Sequence, residues 1–100
     1  MIIVIAKIAV QPGNKQDVFA LAKSIIAATR SEEGCISYEL LDDPHDASAC
    51  SFVERWTDMD ALKRHMKTDH FLRWREASKD LLIAGRDQVG IYQAEEMKRG

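Results

Sequence analysis

The chain opens on Ile2-Ile3-Val4-Ile5-Ala6-Lys7-Ile8-Ala9-Val10, a β-branched run broken by one charge and closed by Pro12-Gly13. A run with so little polar surface is what a central strand covered on both faces requires. In a chain of 100 residues that demand is restrictive, because this length supports one core. The following segment supplies cover. Asn14 can cap a helix with Asp17 three residues on, and Val18, Leu21, Ala22, Ile25, Ile26 and Thr29 recur at the helical period. The helix is predicted to stop at Glu33-Gly34, where glycine supplies the left-handed conformation common at helix ends.

Cys35 to Asp42 alternates as a strand, Asp42-Asp43-Pro44-His45-Asp46 carries turn chemistry, and Cys50 to Trp56 reads as the antiparallel return. Thr57 with Asp60 is a capping pair for a short helix to about Met66, and Thr68-Asp69 starts another helix predicted to end near Gly85. Gln88 to Gln93 is the last strand, and residues 94–100 form a charged tail. Strand, helix, strand, strand, broken helix, strand describes an α+β, ferredoxin-like βαββαβ domain over residues 1–100. Its four-stranded antiparallel sheet carries the helices on one face. The other face, rich in Ile and Val, then needs a cover, and dimerisation through the sheet is the simplest one.

Net charge is -2, with 14 basic and 16 acidic side chains, so no electrostatic footprint points to nucleic acid or anionic lipid. The longest uninterrupted apolar run, Met1 to Ala6, is far short of the roughly 20 residues that span a bilayer. No basic n-region or cleavage site marks a signal peptide, so a cytoplasmic protein is expected. Cys35 and Cys50 fall in separate strands without CxxC spacing and read as reduced, half-buried small hydrophobes.

Strand parity places Phe52, Glu54 and Trp56 on one face and Ser51, Val53 and Arg55 on the other. A carboxylate between two aromatics is either partly desolvated against the helices, with its proton affinity raised, or an edge residue paired with Arg or Lys. His65 on the short helix and His70 at the start of the next flank the predicted break. At the rim of an aromatic pocket such a histidine is a natural general base; otherwise it caps or packs at the break. Phe71 and Trp74 are pocket walls or part of the core stripe with Leu81 and Leu82. Tyr38 could bring a phenol to the same cavity, although parity does not say which face it uses. His45 belongs to a solvated acidic loop.

Walker, GxGxxG, HExxH and GxSxG motifs are all missing, which removes support for nucleotide binding, zinc hydrolysis and serine-nucleophile chemistry. His65 and His70 are five apart across a break rather than the i,i+4 pair that two ligands on one helix face require, so no metal is expected.

Four motifs in order and spacing carry a resemblance: Ile-x-x-x-Pro-Gly at 8–13, Glu-Glu-Gly-Cys-x-x-Tyr at 32–38, Glu-x-Trp at 54–56 and His-x4-His at 65–70. On these the chain resembles the antibiotic biosynthesis monooxygenase domain family over nearly its whole length. The resemblance implies a homodimer with its two sheets face to face and a cavity in each subunit between sheet and helices. It implies a cofactor-free oxygenase for quinols, anthrones and related polyphenols, with O2 as second reactant. His70 or His65 would be the base, Glu54 would orient or compensate the imidazole, and Tyr38, Phe52, Trp56, Phe71 and Trp74 would contact a planar substrate. The family also holds an isomerase-type enzyme for a phosphorylated signal, for which Arg64, Lys67 and Arg73 near the helix break are either the cationic groups or solvated surface charge, and the fold also hosts non-catalytic ligand-binding dimers. The haem-degrading branch looks like it uses an Asn late in the first strand and a His in the last helix. Here those stretches read Ala6-Lys7-Ile8 and Trp74-Arg75-Glu76, so haem is not expected. Some polyketide oxygenases have an Asn where this chain has Phe52, so their substrate handling does not carry over.

Overall fold

The structure, a computed structural model, describes residues 1–99. Chain order is β1 (Ile2–Ala9), α1 (Lys15–Thr29), β2 (Cys35–Asp42), β3 (Ala49–Trp56), α2 (Met59–His65), α3 (Asp69–Ser78) and β4 (Gln88–Gln93). The strands form one antiparallel sheet in the order β2-β3-β1-β4, and the fold is the expected ferredoxin-like α+β arrangement. No described helix is long and apolar enough to cross a membrane.

β1 is a central strand, flanked by β3 and β4, as its β-branched run requires. Its helix-facing residues Ile2, Val4 and Ile8 are buried together with Phe52 and Trp56 of β3 and Val18, Ala22 and Ile25 of α1. Cover on both faces is not supplied within one chain. On the far face Ile5 of β1, Leu41 of β2 and Tyr92 of β4 are exposed, beside half-buried Ile3 and Val53.

Local chemistry explains where the helices depart from expectation. Asn14 stands at the start of α1, but its side-chain amide donates to the Asp17 carboxylate (2.8 Å) instead of capping a backbone N–H. α1 ends at Thr29, and a chain of turns through Ser31 and Glu32 leads to Gly34. The cap of α2 is Asp58, whose carboxylate accepts from Ala61 N (2.8 Å), not the Thr57–Asp60 pair. An extended Asp at the residue next to Thr57 is the better acceptor for that turn. Thr68 caps α3 as expected, accepting from Phe71 N (3.3 Å). That helix ends at Ser78, well before Gly85, because the next segment bonds to the end of β1: Gln11 N donates to Leu81 O (2.9 Å) and Ile83 N to Ala9 O (2.8 Å).

Gly34 fixes the corner between α1 and β2. Its φ is +86°, and a Cβ there would lie 2.6 Å from the Ala61 Cβ and 2.9 Å from the Thr57 hydroxyl. Only glycine permits both the backbone and the approach. The corner is thereby pressed against the first turn of α2, which brings Glu32 toward the helices.

Candidate functional site: an apolar cavity beside a Glu-His-His cluster

The helices leave a cavity of about 220 Å³ over the sheet, walled by Val4 and Ala6 of β1, Tyr38 of β2, Phe52 and Glu54 of β3, Leu62 and His65 of α2, and Phe71 and Trp74 of α3. Val89 and Ile91 of β4 also line it and are half exposed, so the cavity opens on the β4 side. Its walls are mainly apolar, with a few polar side chains among them, as in most small-ligand sites.

Glu54 is the buried carboxyl of that wall, 6% exposed. β3 places it between Phe52 and Trp56 on the helix face, and Trp56 Nε1 donates to its Oε1 (3.0 Å). The other oxygen makes no hydrogen bond and keeps access to the cavity. Burial pushes its pKa from 4.5 up to about 7, against the opposing pull of the Trp56 hydrogen bond and with a small push from the charge of Glu32. Among the described residues no Arg or Lys answers it, so of the two sequence readings the desolvated one holds.

Tyr38, paired in register with Glu54, is buried on the same face, and burial raises its phenol pKa strongly. Its ring packs 5.3 Å from Phe52 and 5.3 Å from His65, centroid to centroid. Phe52 meets Trp74 edge-on at 5.4 Å. Trp56 is fully buried behind the wall rather than in it, so it acts on the cavity through its hydrogen bond to Glu54.

The two histidines part company. His65 is 1% exposed and lines the cavity; His70 does not, and instead borders a surface groove with Leu21, Arg73 and Trp74. Both nonetheless bind one oxygen. His65 Nδ1 and His70 Nε2 each lie 2.7 Å from Glu32 Oε2. A carboxylate only accepts, so each of those nitrogens carries the hydrogen, and His65 Nε2 is left buried without a partner among the described residues. Burial lowers the His65 pKa more than Glu32 raises it, which keeps the ring neutral at pH 7.

The carboxylate on the imidazoles is therefore Glu32, not Glu54 as the family resemblance implies. Glu32 belongs to the Glu-Glu-Gly-Cys-x-x-Tyr motif, and the glycine two residues later was the available signal that this corner approaches another element. The five-residue spacing of the histidines also misleads: the break between α2 and α3 turns both rings onto one atom. Arg64, Lys67 and Arg73 are exposed and none lines the cavity. His45 is exposed in its loop. Both cysteines are free; Cys50 is buried with its thiol pushed up to about 11, and Cys35 is half-buried and also raised, chiefly by burial.

Residues 1–77 match the family model described as "Antibiotic biosynthesis monooxygenase". The chain is 37% identical over 95 residues to "Uncharacterized protein sll1783" of Synechocystis, covering 95% of this chain and 64% of that longer protein. It is 33% identical over 89 residues to "Putative monooxygenase YcnE" of Bacillus subtilis, covering 89% of this chain and 94% of the relative. A crystal structure of a conserved protein from Methanosarcina mazei superposes with a TM-score of 0.86 at 31% identity, covering 94% of this chain and 92% of that one. The motifs, the fold and these matches agree: the chain belongs to the antibiotic biosynthesis monooxygenase family.

Proposed function

We propose that this protein is a cofactor-independent monooxygenase that oxidises a small quinol-like or polyphenolic substrate with O2 in the cavity over the sheet. The observation that carries the reading is Glu54, a carboxyl whose proton affinity is centred near neutrality inside an apolar, aromatic-walled space. A base with a pKa near the working pH is the most effective at taking and returning a proton.

In this reading Glu54 accepts the proton of a substrate phenol, and the anion passes one electron to O2. The resulting radical pair joins in a new C–O bond, giving a peroxide. Its O–O bond breaks, one oxygen stays on the substrate as a carbonyl, and the other leaves as water with the two hydrogens the substrate has lost. Tyr38, Phe52, Phe71 and Trp74 hold the planar ring and keep water from the anion. Trp56 is a positioning residue through Glu54. His65, neutral and on the wall, is a second candidate base, and His70 acts only through Glu32. The exposed apolar residues Ile5, Leu41 and Tyr92 support a homodimer joined through the open sheet face; sedimentation should show a dimer that Ile5→Lys dissociates, and a monomer at every concentration would reject it.

A panel of hydroquinones, naphthols and anthrones in an oxygen electrode tests the reaction. One substrate should consume O2 well above its uncatalysed rate and take one 18O atom from 18O2. Glu54→Gln should lower that rate by about 10²-fold or more, with His70→Ala much milder. Rates indistinguishable from buffer across the panel, or a Glu54→Gln variant as fast as wild type, would overturn the proposal.

A further inference from the structure

We propose that Glu32, His65 and His70 form a binding site for one divalent transition-metal ion, with Zn2+ as the best match. The site lies beside the cavity rather than in it, and the inference does not rest on the oxygenase reading.

Three separate segments send one donor atom each to the same point: Oε2 of Glu32 from the corner after α1, Nδ1 of His65 from the end of α2, and Nε2 of His70 from the start of α3. These atoms lie within 4.8 Å of one another, with two of the separations 2.7 Å. Two imidazoles and a carboxylate are the donor set of three-ligand zinc and non-haem iron sites, which leave further positions open. Around a tetrahedral Zn2+ neighbouring donors stand about 3.3 Å apart. The two carboxylate–imidazole pairs would therefore open by roughly 0.6 Å each and the two imidazole nitrogens, within 4.8 Å of each other, would settle to the same spacing, by side-chain rotations.

The cluster is held in place from behind. The Thr68 hydroxyl accepts from Phe71 N (3.3 Å) and donates to the carbonyl of His65 (2.7 Å), so one residue ties the end of α2 to the start of α3. Gly34 packs the corner bearing Glu32 against Ala61 and Thr57. His70 and Glu32 side chains are 18% and 13% exposed, which gives an ion a route in and a water for the remaining position. Among the described residues no lysine or arginine pairs with Glu32.

Proton accounting agrees. The ion replaces the hydrogens on His65 Nδ1 and His70 Nε2, and each neutral ring keeps one hydrogen by moving it to its other nitrogen. For His65 that nitrogen is Nε2, now without a partner among Tyr38, Trp56 and Phe71. An N–H can meet an aromatic face, whereas a bare lone pair gains nothing there.

Calorimetric titration of the metal-stripped, untagged chain with ZnCl2 in a non-chelating buffer tests the site. One ion per chain with a Kd in the micromolar range or tighter is expected, together with a rise in Tm at saturating zinc. Glu32→Gln, which keeps the side-chain shape, and His70→Ala, at a partly exposed position, should each weaken binding about tenfold or more while circular dichroism stays that of wild type. The imidazole 15N signals of His65 and His70 should move and those of His45 should not. No saturable binding up to millimolar zinc, or binding that survives both substitutions, would overturn the proposal. Because no readout here uses turnover, failure here leaves the oxygen-uptake test untouched, and failure there leaves this one untouched.

Discussion

Glu54 and Glu32 are both withdrawn from solvent, and the molecule treats them in opposite ways. Glu54 has one neutral donor, Trp56 Nε1, and an otherwise apolar surround, so its charge goes unanswered and its proton is held up to about pH 7. Glu32 lies at the edge of the helical layer and receives two imidazoles on one oxygen. In the proposed chemistry the difference is one of task. A carboxyl that must gain and lose a proton has to be left short of partners, while one that gathers histidines into a rigid cluster is supplied with them.

The strongest way to break the contrast is Trp56→Ala. It empties a fully buried indole site and removes the donor to Glu54, at an expected cost of about 3–5 kcal/mol in urea denaturation. Glu54→Gln inverts the sign. The folded pKa of about 7 exceeds the ordinary 4.5, so the native state keeps a proton that the unfolded chain releases, and stability falls as pH rises through that window. The variant should therefore be more stable than wild type by about 3 kcal/mol at pH 8, with the gain fading to nothing below pH 4.5. A Glu54→Gln melt that parallels wild type at every pH would contradict the unanswered charge.

Glu32→Ala is smaller, because His70 can turn to water while the buried His65 N–H cannot. A loss of about 1–3 kcal/mol follows from one orphaned donor, read from the same denaturation curves. Asp58→Ala is the control. It removes the cap of α2 and touches neither carboxylate, costing about 1 kcal/mol in the same denaturation curves.

Much of the cavity was legible in the sequence, and the reason is local geometry. Alternation alone puts Phe52, Glu54 and Trp56 on one face, and the β-branched opening run is enough to make β1 central. Tyr38 was not assignable, because its face depends on a register irregularity between Cys35 and Ser37. The partners of Glu32 were not legible for a different reason: Gly34 signals a close approach at that corner, but the hydrogen bonds join residues 33 and 38 positions apart, and no period in the sequence encodes a contact across that distance. The early end of α3 belongs to the same class, since it is set by hydrogen bonds from Gln11 to Leu81 and from Ile83 to Ala9. The cap of α2 shows the finer limit, where Thr57 and Asp58 are adjacent acceptors and the backbone chooses Asp58.

The state of Glu54 underlies both the proposed chemistry and the contrast with Glu32, and it can be observed without knowing the substrate. A 13C-NMR titration of the glutamate side-chain carboxyls, with Glu54 assigned by its loss in Glu54→Gln, reports it directly. The account predicts a midpoint near 7 for that signal, and a midpoint at the ordinary value near 4.5 would contradict it.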